Sequence, residues 1–106
     1  MDQTTIHTLG DTLYTALRER RTIAPLTTSY PSISIEDAYQ ISLRLLQNRL
    51  DSGEKVIGKK IGVTSQAVMD MLDVRQPDFG FLTDAMRHDD EMPISKTLIQ
   101  PRAEGE

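Results

Sequence analysis

Two amphipathic helical stretches, followed by a β-rich run punctuated by glycines, predict an α+β chain. The shorter helical and extended pieces that come after the glycine run agree with this. In the first stretch Ile6, Leu9, Leu13, Ala16 and Leu17 recur at helical spacing and form one apolar stripe. Asp2 or Thr4 is placed to cap its start, and Arg18, Arg20 and Arg21 fall at its end, where cations favour the helix dipole. Residues 22–33, with Pro25 and Pro31, read as a connecting loop. Ser34, with Asp37 three residues on, forms an Asp variant of the capping box and opens a second helix. Ala38, Ile41, Leu45 and Tyr39, Leu43, Leu46, Leu50 give that helix a wide apolar face, so it is expected to be well buried, and Gly53 is placed to end it.

The run Val56-Ile57-Gly58-Lys59-Lys60-Ile61-Gly62-Val63 reads as a strand with close backbone packing at Gly58 and Gly62. Thr64 or Ser65 then caps a short helix whose apolar face is Ala67, Val68, Met71 and Leu72. Residues 73–80 read as a loop, Phe81 and Leu82 as a short strand, and 87–91 as an exposed turn. Leu98 to Glu106 reads as a strand entering a sheet, with nothing after it to close that sheet. This chain is therefore expected to be the N-terminal part of a longer protein.

Composition removes several classes of function. The chain has 106 residues, 38% hydrophobic and 26% charged, which suits one small folded domain or a piece of a larger one. Three tyrosines, two phenylalanines and no tryptophan leave aliphatic side chains and methionine to fill the core. A net charge of −4 argues against binding along a phosphate backbone, so no nucleic-acid partner is expected. No apolar run approaches the roughly 18 residues of a membrane span, and the N-terminus lacks the pattern of a secretory signal. With no cysteine, disulfides, thiolate catalysis and cysteine-ligated metals are excluded, and the cytoplasm is the expected compartment.

Four residues are candidates for chemistry. Glu104 and Glu106 lie two apart, so on a strand both carboxylates share a face. Their Cα atoms would lie about 6–7 Å apart, close enough to share one hard divalent cation. A Glu-x-Glu on a solvated face is the commoner case, and a third ligand would be expected. Lys60 lies between glycines. Alternation puts Lys59 on the opposite face, so Lys60 is either a cleft lysine needing an anionic partner or one of two exposed lysines on an edge strand. Asp78 follows Pro77, which is also ordinary turn chemistry. His7 and His88 have no second ligand at metal spacing and read as surface residues, and Ser65 reads as a helix cap.

Gly58-Lys59-Lys60-Ile61-Gly62-Val63-Thr64-Ser65 resembles the Gly-x-Lys-x-Gly-x-Thr-Ser signature of bacterial 2-hydroxypenta-2,4-dienoate (2-oxopent-4-enoate) hydratases. Gln76-Pro77-Asp78-Phe79-Gly80-Phe81-Leu82-Thr83-Asp84 resembles the loop that follows it there. Leu98 to Glu106 is similar to the Pro-Arg-x-Glu-x-Glu metal strand, and Ile35-Glu36-Asp37-Ala38-Tyr39 also fits. The three motifs stand in the family's order and spacing. They cover essentially this whole chain but well under half of such an enzyme.

The resemblance implies N-terminal helices packed on the start of a mixed β-roll, with residues 1–80 as the helical region carrying the Lys60 strand and 81–106 as the start of the metal-binding core. It implies hydration of a dienoate to 4-hydroxy-2-oxopentanoate in the catabolism of aromatic compounds. Magnesium or manganese would be held by Glu104, Glu106 and an acidic residue further along. Lys60 would stabilise charge or donate a proton, and Asp78 would be an acid/base candidate. The substrate would be a small 2-oxo or 2-hydroxy dienoic acid, and the whole enzyme a homo-oligomer associating with 4-oxalocrotonate decarboxylase. The chain alone is expected to be inactive. The related 4-oxalocrotonate decarboxylases are the nearest alternative, and the Gln76-Pro77-Asp78-Phe79 loop favours the hydratase. A rival of another class is a small non-catalytic helical binding or oligomerisation module.

Overall fold

The computed structural model describes residues 1–105. The chain falls into two compact units, one of residues 1–52 with the segment from 88 onward, the other Gly53–Arg87. The boundary expected between 80 and 81 falls inside a strand of the second unit.

In the first unit, α1 (Gln3–Glu19) packs against α3 (Ile35–Asp51), with the single-turn helix α2 (Leu26–Ser29) between them in sequence. Asp2 caps α1 by accepting from the Thr5 backbone N–H at 2.7 Å. This bond holds the Asp2 carboxyl below the usual carboxylate range. Arg20 ends the helix in the left-handed region at φ 53°, so Arg20 and Arg21 lie beyond the last turn and only Arg18 is inside it. The capping box of α3 forms as the sequence predicts. The Asp37 N–H donates to Ser34 Oγ at 3.0 Å, and the Ser34 N–H donates back to Asp37 Oδ2 at 3.0 Å. Two donors at the helix start are thereby satisfied. These bonds, the one from the Ser34 backbone N–H first, hold the Asp37 carboxyl below the usual carboxylate range.

The core of this unit is Ile6 and Leu9 of α1 against Ile41 of α3, with Leu13, Leu26, Tyr30 and Ile33 packed around it. α3 is less buried than its wide apolar face predicts: Ile41 alone is fully buried and Leu43 is 44% exposed. α1 is the one long helix packed against it in this unit, and one helix covers only one stripe of another.

Gly10 lets the two helices approach. A Cβ there would overlap Cβ and Cγ of Arg44 on α3. The same Arg44 donates from Nε and an Nη to the two carboxylate oxygens of Asp11 at 2.7 and 3.1 Å, and Asn48 adds a bond of 2.7 Å. The Arg44 hydrogen bonds, then that of Asn48, hold the Asp11 carboxyl below the usual range. Gly10→Ala gains about 1 kcal/mol of helix propensity. It also forces a methyl into the stem of Arg44 next to its backbone, where overpacking costs about 1–3 kcal/mol. We expect a net loss of about 1 kcal/mol in chemical unfolding; an unchanged or raised midpoint would show that the helices can move apart at no cost.

The second unit is a two-stranded antiparallel sheet of β1 (Val56–Gly62) and β2 (Asp78–Thr83), joined through the short helix α4 (Gln66–Leu72). Val63 turns the chain out of β1 at φ 56°, an uncommon conformation for a β-branched residue. Ser65 then caps α4 by accepting from the Val68 N–H at 3.2 Å. The open end of the hairpin is closed by Asp84, whose N–H donates to the Lys55 carbonyl while its carboxylate accepts from the Lys55 N–H. The hydroxyl of Thr83, fully buried, donates to Glu54 at 2.6 Å. β2 starts at Asp78, so the loop predicted over 73–80 is shorter than expected. Phe79 and Phe81 at period two carry the strand signal back to Asp78.

Residues 87–91 are exposed, as the sequence predicts. A single helical turn, α5 (Ile94–Thr97), follows. Residues 98–105 are irregular, so the strand expected from Leu98 is not formed among the described residues. An extended segment becomes a strand only by pairing its backbone groups with another strand, and among the described residues the sheet is β1 and β2 alone.

Candidate active site

β1 and β2 pair Gly62 with Asp78, Lys60 with Gly80, Ile61 with Phe79 and Lys59 with Phe81. A register irregularity lies between Val56 and Gly58, beyond these pairs. Side chains alternate across a sheet, so these pairs sort onto two faces. One face carries Lys59, Ile61, Phe79 and Phe81. The Lys59 ammonium lies 5.8 Å from the centre of the Phe81 ring, which fixes that assignment. The other carries Gly58, Lys60 and Gly62 from β1 with Asp78, Gly80 and Leu82 from β2.

Lys60 and Asp78 therefore share a face, as diagonal cross-strand neighbours whose Cα atoms are about 7–8 Å apart. The carboxylate of Asp78 lies across Gly62, in the space that a Cβ there would occupy. An acidic and a basic group exposed side by side on a glycine-lined strip can hold an anionic small molecule, balance charge that develops on it and exchange a proton with it.

Glu104 lies in the other unit, exposed and outside any strand. Its carboxylate is the hard oxygen donor that a magnesium ion takes. Glu106 lies outside the described residues, so the Glu-x-Glu pair is not seen as a pair. Among the described residues no group of three or more histidine, aspartate or glutamate side chains is placed to hold a metal ion. His7 and His88 are exposed; the His7 ring meets Gln3 one turn away at 2.9 Å. No helix of the described residues is long and apolar enough to cross a membrane. Reasoning from the sequence missed Gly80, which faces Lys60 across the hairpin; the alternation of Phe79 and Phe81 was the signal that could have found it.

No family model matches the chain. Among curated proteins it is 63% identical over 108 residues to a 2-hydroxypent-2,4-dienoate hydratase of Pseudomonas putida, a match covering all of this chain and 49% of that protein. A 2-hydroxyhexa-2,4-dienoate hydratase of Comamonas testosteroni is 59% identical over 108 residues, covering 99% of this chain and 41% of that one. The chain thus spans half or less of the length of these relatives. Among solved structures, 4-oxalocrotonate decarboxylase from Pseudomonas putida G7, complexed with magnesium and adipate, superposes with a TM-score of 0.75 at 27% identity. That match covers 79% of this chain and 32% of the decarboxylase. The same enzyme complexed with calcium and acetate matches equally well.

Proposed function

We propose that this chain, similar along its whole length to dienoate hydratases, belongs to a protein of the hydratase/decarboxylase family, and that the whole protein hydrates 2-hydroxypenta-2,4-dienoate to 4-hydroxy-2-oxopentanoate. The observation that carries this reading is the shared glycine-lined face of Lys60 and Asp78, within a chain 63% identical to a named dienoate hydratase. The reaction needs a dienol to become its keto tautomer and water to add across the conjugated double bond that remains. Both steps build negative charge on the 2-oxo acid and both move protons. The Lys60 ammonium supplies a positive charge beside that oxygen system or donates a proton to it. Asp78, one diagonal away, holds the water or relays the proton. Glu104 and Glu106 are the residues of this chain that would contribute oxygen ligands to a magnesium or manganese ion. Such an ion, when bound, supplies Lewis acidity toward the acid and its 2-oxo group.

Identity of 63% to a hydratase against 27% to the decarboxylase favours hydration over decarboxylation. The cytoplasm, assembly as a homo-oligomer and association with 4-oxalocrotonate decarboxylase belong to the same proposal. Ile61 and Phe79, more than half exposed on the face away from Lys60, support a surface there that other protein covers.

Loss of the dienoate absorbance, followed in the whole protein as magnesium or manganese is titrated, tests the reading. Glu104→Gln is expected to raise the metal concentration needed for half-maximal rate, because an amide oxygen is a weaker ligand than a carboxylate. Asp78→Asn is expected to lower the maximal rate and leave the metal requirement nearly unchanged. An unchanged requirement in Glu104→Gln removes that residue from the metal site, and a shifted one in Asp78→Asn moves Asp78 into it. No metal-dependent turnover in the unaltered protein would overturn the proposed activity.

A further inference from the structure

Every nearest neighbour of Lys60 on its own face is a glycine: Gly58 and Gly62 along β1, and Gly80 directly across on β2. Among the described residues only Gly62 is explained by a clash, because the Asp78 carboxylate fills the place of its Cβ. A Cβ on Gly80 would meet no heavy atom of the described residues within 4 Å, and Gly80 does not have a positive φ. Neither sterics nor backbone conformation among the described residues requires glycine there. A glycine in a strand nevertheless costs roughly 0.5–1 kcal/mol relative to alanine, and strand glycines often mark the close approach of something else.

The bare strip has defined ends. Asp78 stands beside Gly62, and the exposed Leu82 leans toward Gly58, whose Cβ would sit 3.8 Å from Leu82 Cδ1. From Gly62 to Gly58 the strip runs about 13 Å, with a carboxylate at one end, an ammonium in the middle and an apolar side chain at the other. That sequence of groups suits a flat, short, conjugated 2-oxo acid: its charged oxygens at Lys60, its apolar tail toward Leu82.

We propose that Gly80 is a specificity-determining residue, kept without a side chain so that the planar acid can lie against β2 beside Lys60. This rests on the function proposed above and adds to it the surface on which the substrate lies.

Gly80→Ala in the whole protein tests it, with three readouts. The thermal midpoint is expected to stay the same or rise slightly, since alanine restricts the unfolded chain and meets no clash. The KM for 2-hydroxypenta-2,4-dienoate is expected to rise about 10-fold, the scale of one methyl group placed wrongly in a binding surface. Binding of 2-oxopentanoate, which lacks the diene and cannot react, is expected to weaken by a similar factor in calorimetry with magnesium present. A lowered thermal midpoint would show that the strip is covered by protein and would overturn the inference. Unchanged KM and unchanged 2-oxopentanoate affinity in a stable variant would overturn it too. If the unaltered protein does not hydrate the dienoate yet loses 2-oxopentanoate on Gly80→Ala, the binding strip stands and the assigned reaction falls.

Discussion

Lys60→Ala in the whole protein is expected to lower turnover by about 10²-fold, the scale for losing one positioned charge or proton donor. That is about 2.7 kcal/mol of transition-state stabilisation. Lys59→Ala, one residue away, is expected to change turnover little. The reason is the pairing of β1 with β2: Lys59 opposes Phe81 with its ammonium over the ring, whereas Lys60 opposes Gly80 on the face that holds Asp78. Removing Lys59 loses a cation–π contact worth roughly 0.5–1 kcal/mol at an exposed site, which is a matter of stability and leaves the other face intact. Turnover at saturating substrate and metal separates the two. Equal losses from both substitutions would show that the face of the hairpin does not decide function, and a larger loss from Lys59→Ala would reverse the assignment.

Ile41→Ala is expected to cost about 2–5 kcal/mol of unfolding free energy, the range for truncating a large aliphatic side chain in a core. Ile41 is 1% exposed and meets Ile6 and Leu9 across the α1–α3 contact. That contact is small, so little else can relax into the space left behind. Ile35→Ala on the same helix, 60% exposed, is expected to stay within about 0.5 kcal/mol. Paired denaturant titrations measure the difference. Similar losses for both would mean that Ile35 is covered in the whole protein, and a small loss for Ile41 would mean that the α1–α3 contact does not hold this unit together.

The features legible in the sequence are those that depend on near neighbours along the chain. Asp2, the Ser34–Asp37 box and Ser65 cap their helices because a short polar side chain reaches the N–H groups two or three residues on, wherever the helix later packs. The opposite facing of Lys59 and Lys60 follows from the period of a strand and needs no partner to be read. The tertiary structure alone decided which residues meet. It placed Arg44 against Gly10 and Asp11, more than thirty positions away in the chain. It left most of the apolar face of α3 only partly covered and set Gly80 opposite Lys60. It also left residues 98–105 irregular where their pattern suggested a strand. Helix caps are closed by bonds within one turn of chain, whereas burial, cross-strand pairing and close approach are made by residues far apart in sequence, and local pattern carries no record of those.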